Sequence, residues 1–243
     1  MSGVKAIFKK QIKDILKNMG VLIQFVLFPA VAFAMTHFVA GSEMFADVDA
    51  MTEMPGMNFV LMFSAIFVGM ALIPTVATII AEDRERKSLR FLVMAGVRPA
   101  AYLLGIGGVI FFTSLLPSLA FALIGGFSGQ QFLIFMAAMM SGVVASTFLG
   151  ATIGIFAKNT QSAAAMAMPF AMILGFGPMI GMFNEQIGRN FRFFYTQQLD
   201  AILNSFGPAP QANLWHSFGI IWANVAILLI IFSLTFAKKG LKA

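Results

Sequence analysis

The 243-residue chain is 59% apolar and only 11% charged, whereas soluble domains are about 45–50% apolar and about 25% charged. This composition excludes a soluble enzyme, a disordered chain and a secreted disulfide scaffold. The absence of cysteine also removes disulfides, thiolate metal sites and cysteine nucleophiles. The net charge of +6 would fit a nucleic-acid partner, but the distribution of the charge gives another explanation.

The N-terminal segment, residues 1–20, is basic and amphipathic. Apolar side chains recur on one helical face, and five lysines lie mostly on the other. This pattern predicts a helix in the membrane interface with its lysines toward anionic lipid headgroups. A positive flank that only fixes the topology is the alternative. The small residues Ala30, Ala32 and Ala34 imitate a signal-peptide cleavage site, but the amphipathic pattern favours retention of the segment.

Long stretches without a charged residue predict membrane-spanning helices of about 20 residues each. The uncharged stretch at 99–157 is too long for one helix, and the Gly-rich segment 125–131 divides it. We therefore predict an all-α polytopic membrane protein. Its six-span domain covers residues 21–237, with spans at 21–40, 58–81, 100–124, 132–157, 162–183 and 215–237.

Basic residues are distributed unequally between the two sides of this predicted topology. Fourteen of the sixteen lie at the N-terminus, in the 82–98 segment, at Lys158 or in the tail 238–243, and only Arg189 and Arg192 lie on the other side. The positive-inside rule then predicts cytoplasmic termini. It also explains the basic composition without a nucleic-acid partner.

The predicted spans contain no charged residue, although a carboxylate there is the usual device of ion-coupled carriers. The two histidines, His37 and His216, lie near span ends and form no metal-ligand cluster, so we predict no catalytic and no metal site. A P-loop, Gly-x-x-x-x-Gly-Lys-Ser/Thr, is also absent from the sequence. We expect no cofactor on this chain.

The segment at 82–98 combines a mixed-charge run with an amphipathic stretch. A short helix of this kind on the membrane surface would suit contact with a partner protein, whereas a solvated topogenic loop is the alternative. Its first nine residues are Glu82, Asp83, Arg84, Glu85, Arg86, Lys87, Ser88, Leu89 and Arg90.

This run, with Arg98-Pro99 and the Tyr-Leu-Leu-Gly sequence at 102–105, resembles the segment after the second span of ABC-2-type transporter permeases. Lys87 replaces a usual glycine, and Ile106 stands where lysine is frequent. The N-terminal helix, six spans and cytoplasmic termini extend the resemblance over the whole chain.

The resemblance implies a permease of the prokaryotic plasma (inner) membrane that pairs with an identical or homologous permease and binds two copies of an ABC ATPase subunit. ATP and Mg²⁺ would bind to the ATPase. Residues 82–90 would contact it as part of a coupling helix, with residues 1–20 as a connecting helix beside it. The segment 184–214 would form external, partly re-entrant helices.

Small residues recur every four positions in the fourth and fifth predicted spans, which allows helix backbones to approach closely in lipid. We expect them to pack within the bundle or across a permease dimer, and a sliding seam during transport is the sharper alternative. The predicted helix-packing residues are Gly142, Ser146, Gly150, Gly154, Ala167, Ala171 and Gly175.

Two further groups are candidates for moving parts. Prolines within the fifth span predict a kink, and a hinge is the functional alternative; the candidate residues are Pro169, Gly177, Pro178 and Gly181. Aromatic and charged residues interleave after this span, as at a membrane interface. This predicts an external gate or an interfacial anchor; the candidate gate residues are Phe191, Phe193, Phe194 and Tyr195.

The expected function is therefore that of the transmembrane subunit of an ATP-driven exporter, and the Met-rich apolar composition favours a hydrophobic or amphipathic substrate such as a drug, lipid or peptide. Two rival functions remain open at this point. The chain could be an ATP-independent carrier or channel, or a membrane scaffold or immunity protein. Dependence on a partner ATPase separates the main hypothesis from both.

Overall fold

The structure, a computed structural model, describes residues 2–39, 57–86, 99–183, 185–206 and 213–236. These residues form helices without any strand, which confirms the predicted all-α class. The helices are α1 (Ser2–Lys17), α2 (Met19–Ala34), α3 (Met57–Ile66), α4 (Leu72–Glu85), α5 (Pro99–Ile124), α6 (Gly129–Phe156), α7 (Thr160–Phe183), α8 (Glu185–Phe191), α9 (Tyr195–Asn204) and α10 (Leu214–Thr235). Two π-helical turns extend this set, Met35–Val39 after α2 and Phe67–Ala71 between α3 and α4.

Six helical stretches in this part of the chain are long and apolar enough to cross a membrane. They are Met19–Phe38, Phe59–Glu85, Ala101–Ile124, Gly129–Phe156, Thr160–Gly181 and Leu214–Thr235. Each overlaps one predicted span, and five agree with it to within three residues at both ends. The second span differs because its helix continues beyond the predicted end at residue 81 to Glu85, which places charged residues on a spanning helix.

Local chemistry sets several helix boundaries. Asn18 separates α1 from α2, and its side-chain oxygen accepts a hydrogen bond from the Val21 N–H at 3.3 Å. Gly126 has a positive φ of 66° in the turn between α5 and α6, a conformation that glycine adopts without strain. Asn213 caps α10 by accepting from the N–H groups of Trp215 and His216. The predicted break at 125–131 is confirmed over residues 125–128, whereas residues 129–131 already belong to α6.

The second span, formed by α3, the π-helical turn Phe67–Ala71 and α4, is the centre of the bundle. In an apolar 18-residue stretch of this span, 72% is buried inside the protein, whereas the corresponding share for the last span is only 17%. The α4 helix packs against α6 and α7, α6 packs against α10, and α1 packs along α5. Helices α8 and α9 cover the end of the bundle where the second span begins, with α8 on α7 and α9 on α10, α6 and α7.

We call the end that holds α1, Glu82–Arg86 and Ala157–Thr160 the basic end, and the end that holds α8 and α9 the far end. The predicted N-terminal segment is a helix in the structure, with Ile7, Gln11 and Ile15 buried; its position in a membrane interface stays a prediction. Residues 87–98 of the coupling segment and the tail 238–243 lie outside the described residues.

Candidate functional site

Asp83 is the buried centre of a group of polar side chains at the basic end, which we call the polar junction: Lys10, Gln11, Asp83, Arg84 and Tyr102. Asp83 is only 4% exposed. Its Oδ1 lies 2.7 Å from Lys10 Nζ, and its Oδ2 accepts hydrogen bonds from Gln11 Nε2 at 2.8 Å and Tyr102 Oη at 2.9 Å. One carboxylate therefore joins α1, α4 and α5.

The next residue, Arg84, extends the junction to the end of α6. Its guanidinium donates hydrogen bonds to the carbonyl oxygens of Ile155 and Ala157, the latter at 2.9 Å. The last carbonyls of a helix have no partner within that helix and carry the negative end of its dipole. A cation is therefore well placed there, and Arg84 stabilises the C-terminal end of α6 while holding it against α4.

Glu85 contacts the beginning of α7 in the complementary way. Its Oε2 accepts a hydrogen bond from the Thr160 N–H at 3.2 Å, and the first N–H groups of a helix favour a negative partner. Successive helical residues point about 100° apart. Asp83, Arg84 and Glu85 can therefore contact three different parts of the bundle, so that a displacement of the end of α4 reaches α1, α5, α6 and α7 together.

The outer side of the same helical turn remains accessible. Glu82 and Arg86 form an i,i+4 ion pair of 2.7 Å, and the Arg86 side chain is 73% exposed. Such surface pairs contribute little to stability, so this face is available for contact with another molecule. The described coupling residues thus divide into two sets. Residues 83–85 contact other helices, although Glu85 is itself exposed, and Glu82 and Arg86 pair with each other on the outer side.

Sequence analysis missed three members of the polar junction, namely Lys10, Gln11 and Tyr102. Their polar atoms meet Asp83 although they are 72 or 73 residues (Lys10, Gln11) and 19 residues (Tyr102) away in sequence. A weak signal existed, because Gln11 interrupts the apolar stripe of α1. The predicted coupling residues Lys87, Ser88, Leu89 and Arg90 lie outside the described residues.

The comparisons with known proteins agree with this architecture. A family model described as "ABC-2 family transporter protein" matches residues 6–237, which is nearly the whole chain. The chain belongs to the ABC-2 transporter family. It is an ABC-2-type permease, a multi-pass membrane protein of a family whose members are the membrane components of transporters. A search of the curated proteins finds no match.

In this permease, the small residues of α6 contact the second span of the same chain. A Cβ atom at Gly150 would lie 2.6 Å from the Ile73 carbonyl oxygen and 2.9 Å from Val76 Cβ. At Gly154 it would lie 2.6 Å from the Ala77 carbonyl oxygen. These distances leave no room for a side chain, so both positions require glycine in this packing.

Gly142 and Ser146 continue this contact towards the π-helical turn. A Cβ at Gly142 would lie 2.9 Å from Val68 Cγ1. Ser146 Oγ donates to the Val68 carbonyl oxygen at 2.7 Å and lies 2.8 Å from Tyr195 Oη. Because the serine hydroxyl has one proton, Tyr195 is the donor in the second bond. Burial raises the pKa of Tyr195 well above its ordinary value, so the phenol keeps this proton.

The small residues of α7 lie against the same central span. Ala167 and Ala171 are fully buried. A Cβ at Gly175 would lie 3.0 Å from Met70 Cβ, and one at Gly69 would lie 2.6 Å from the backbone nitrogen of Gly175. The predicted packing residues thus surround α3, the π-helical turn and α4 within one chain.

The hinge candidates lie in one unbroken helix. The α7 helix continues through both of its prolines, of which Pro169 is exposed and Pro178 is buried. Gly177 accommodates the Phe191 ring, since a Cβ would lie 2.8 Å from it, and a Cβ at Gly181 would lie 3.2 Å from Gly188 Cα. These glycines therefore hold α8 against α7; a hinge function stays a prediction.

The gate candidates separate into two kinds. Phe193 and Phe194 are exposed by 60% and 40%, and the Phe191 and Phe194 rings are in edge contact with centroids 5.1 Å apart. Tyr195, by contrast, is buried and bonded to Ser146. The structure therefore brings Phe191 and Phe194 together at the far end and places Tyr195 among the packing contacts of α6.

Proposed function

We propose that this permease is the transmembrane subunit of an ATP-driven ABC exporter, which moves a hydrophobic or amphipathic substrate outward by alternating access. A separate ATPase subunit, in two copies, supplies the energy, and a second permease subunit completes the assembly. The observation that carries the proposal is the polar junction, because three consecutive residues of α4 contact α1, α5 and the ends of α6 and α7.

The packing of the central span supports transmission of a movement from this end. The π-helical turn and α4 meet α6 at Gly142, Gly150 and Gly154, and the turn meets α7 where Gly69 faces Gly175. An added carbon atom at Gly69, Gly150 or Gly154 would lie 2.6 Å from a backbone atom of the neighbouring helix. Close-packed interiors transmit displacement rather than absorb it. A displacement at Glu82–Arg86 would therefore move the central span relative to the far end.

The proposed orientation places the basic end in the cytoplasm of a prokaryotic cell. Contacts of α1 and of Arg84 and Glu85 gather the N-terminal lysines, Arg84, Arg86 and Lys158 at one end of the bundle. Positive side chains concentrate on the cytoplasmic side of membrane proteins. ATP is also cytoplasmic, so the partner ATPase would meet the exposed Glu82–Arg86 face there.

An apolar groove supports the proposed substrate class. It lies between α5, α6 and α10, has a volume of about 830 Å³, and is lined by residues such as Gly107, Phe111, Phe148, Leu229 and Phe232. Among the described residues that line it, Thr147 and Ser233 bear hydroxyl groups. Small-molecule sites commonly have volumes of about 300–1,000 Å³ and predominantly apolar walls, which fits a hydrophobic or amphipathic substrate.

The proposal is tested by gentle purification of the chain from its native membrane, with identification of the co-purifying proteins and an assay of Mg²⁺-dependent ATP hydrolysis. We expect a stoichiometric P-loop subunit and ATPase activity in the same sample. A pure oligomer without ATPase activity would contradict the proposal. It would favour the two rivals, an ATP-independent carrier or channel and a membrane scaffold or immunity protein.

A further inference from the structure

A second apolar groove runs along the outer side of α2 and α5, and we call it the α2–α5 groove. Its volume is about 520 Å³. Leu16, Val26 and Leu116 in its walls are 60%, 67% and 74% exposed, so the groove faces away from the core of the bundle. The hydroxyl of Thr113, which also lines it, is already bonded to the Val109 carbonyl oxygen at 2.8 Å. The groove therefore suits an apolar occupant.

Small side chains keep the middle of this groove open. Pro29 and Ala30 of α2 lie in one wall, and Pro117 and Ala120 of α5 lie in the other. The part of α2 that lines the groove, residues 22–33, is about 16 Å long at 1.5 Å per residue. Half of the hydrocarbon core of a bilayer is about 15 Å thick. The groove therefore has the length of one lipid acyl chain in one leaflet.

The end of the groove formed by α1 is positively charged. Ile15 and Leu16 line this end. Lys13 lies three residues before Leu16 and so on the same side of the helix, and Lys17 follows Leu16 directly. Both lysines are exposed, and neither forms an ion pair within the part of the chain that the structure describes. Asp14 lies about 160° away from Leu16 around the helix, so it does not neutralise this end.

We propose that the α2–α5 groove binds one molecule of an anionic phospholipid. One acyl chain lies between α2 and α5, and the phosphate group lies against Lys13 and Lys17. Burial of the chain and attraction between opposite charges both contribute to the binding of such a lipid. The bound lipid holds the junction of α1 and α2 against α5. It differs from the general attraction of an interfacial helix to headgroups, because one lipid binds at a defined place and the site saturates.

A second copy of the chain fits this groove less well than a lipid does. Two identical copies related by a twofold axis contribute the same surface to their contact. Such a contact would bring Lys13 and Lys17 of both copies to one interface, and like charges placed together there are unfavourable. A phospholipid combines a negative charge with an apolar chain, so it matches both parts of this surface.

The test measures thermal unfolding of the delipidated chain in a neutral detergent, during titration with anionic dioleoylphosphatidylglycerol or zwitterionic dioleoylphosphatidylcholine. Native mass spectrometry of the same samples counts the bound lipids. We expect one phosphatidylglycerol per chain and a saturable rise in Tm, by about 3–5 °C at ten times the dissociation constant. Phosphatidylcholine should bind about 25-fold more weakly, because the attraction of two lysines for a net negative charge is lost.

Two sets of variants separate the headgroup from the acyl chain. Lys13→Gln and Lys17→Gln should each weaken phosphatidylglycerol binding about fivefold. Lys158→Gln, which removes another exposed lysine of the basic end, should leave it unchanged. Ala30→Phe fills the groove and should abolish the binding of both lipids. Ala223→Phe, which adds the same ring at an exposed position of α10, should not.

Equal affinity for the two lipids would overturn the proposal, and so would lysine variants that bind phosphatidylglycerol as the wild type does. The lysine variants decide the matter if Ala30→Phe does not fold. A rise in Tm of the same size with inorganic phosphate would overturn the proposal in favour of a simple anion site. A dimer that is insensitive to lipid and that Ala30→Phe dissociates would overturn it in favour of a second copy in the groove. Because the assay needs no ATPase, its result is independent of the proposed exporter function.

Discussion

Two buried aspartates lie near opposite ends of the central span, and their surroundings differ. Asp83 meets Lys10, Gln11 and Tyr102 at the basic end, and the ammonium group supplies a compensating charge. Asp200 of α9, which is 7% exposed, accepts a hydrogen bond from the Asn204 amide at the far end and from no other described residue. The same type of side chain thus links helices to one another at the basic end and is a carboxyl group without a compensating charge at the far end. Buried carboxyl groups must therefore be interpreted from their partners.

The largest effect is expected from Gly150→Leu, which disrupts the packing between the two regions. The new side chain would collide with the backbone of Ile73 and with Val76, and overpacking of a core typically costs about 1–3 kcal/mol or more. We expect loss of monodisperse protein in size-exclusion chromatography. Gly219→Leu is the matched control, because nothing lies within 4 Å of a Cβ there. Normal assembly of the Gly150 variant would contradict the observed packing.

The next effect concerns the polar junction directly. Asp83→Asn removes the charge that faces Lys10, and loss of one member of a buried pair is destabilising. Because Lys10 is 46% exposed, we expect a loss of about 1–3 kcal/mol. Unfolding measurements on Lys10→Met, Asp83→Asn and the double variant give their coupling energy. An additive double variant would show that the ion pair does not link α1 to α4.

The membrane spans could be predicted from the sequence, but the contacts of the two buried aspartates could not. Uncharged stretches located all six spans, because lipid imposes a length of about 20 apolar residues on each. The polar junction was missed because a carboxylate next to basic residues is typical of a solvated loop. No local pattern states that Asp83 points inward to Gln11 and Tyr102. The burial of Asp200 was missed for the same reason, although its apolar neighbours Leu199, Ile202 and Leu203 indicated a buried face.

Asp200 should make the stability of the fold depend on pH. Burial raises the pKa of Asp200 from 3.8 to about 6, and the hydrogen bond from Asn204 opposes this only in part. The folded state then holds its proton more tightly than the unfolded state. Stability should therefore fall as the pH rises from about 4 to about 6, by up to roughly 3 kcal/mol.

Asp200→Asn should flatten this profile and be neutral or stabilising at pH 7.5, the opposite direction from Asp83→Asn. Unfolding of both variants as a function of pH makes the comparison. A wild-type profile that rises through this window, or an Asp200→Asn profile that keeps the wild-type slope, would show that another group is responsible.

The smallest effect on stability is expected at the exposed side of the basic end. Reversal of Glu85 and Arg86, as Glu85→Arg with Arg86→Glu, should change the unfolding free energy by about 1 kcal/mol or less, and membrane insertion should remain intact. ATP hydrolysis by the assembled complex should nevertheless become uncoupled from transport. Full transport by the reversed variant would refute a coupling role for this turn.

The central claim, that the basic end of α4 contacts an ATPase, is tested most directly by site-specific photocrosslinking in the native membrane. In one variant a photoreactive amino acid replaces Arg86 at the basic end. In the control variant it replaces Trp215, which is 87% exposed in the first turn of α10 at the far end. We predict that position 86 crosslinks to a P-loop ATPase and that position 215 does not. Absence of the crosslink at position 86, or equal crosslinking at both positions, would contradict the account.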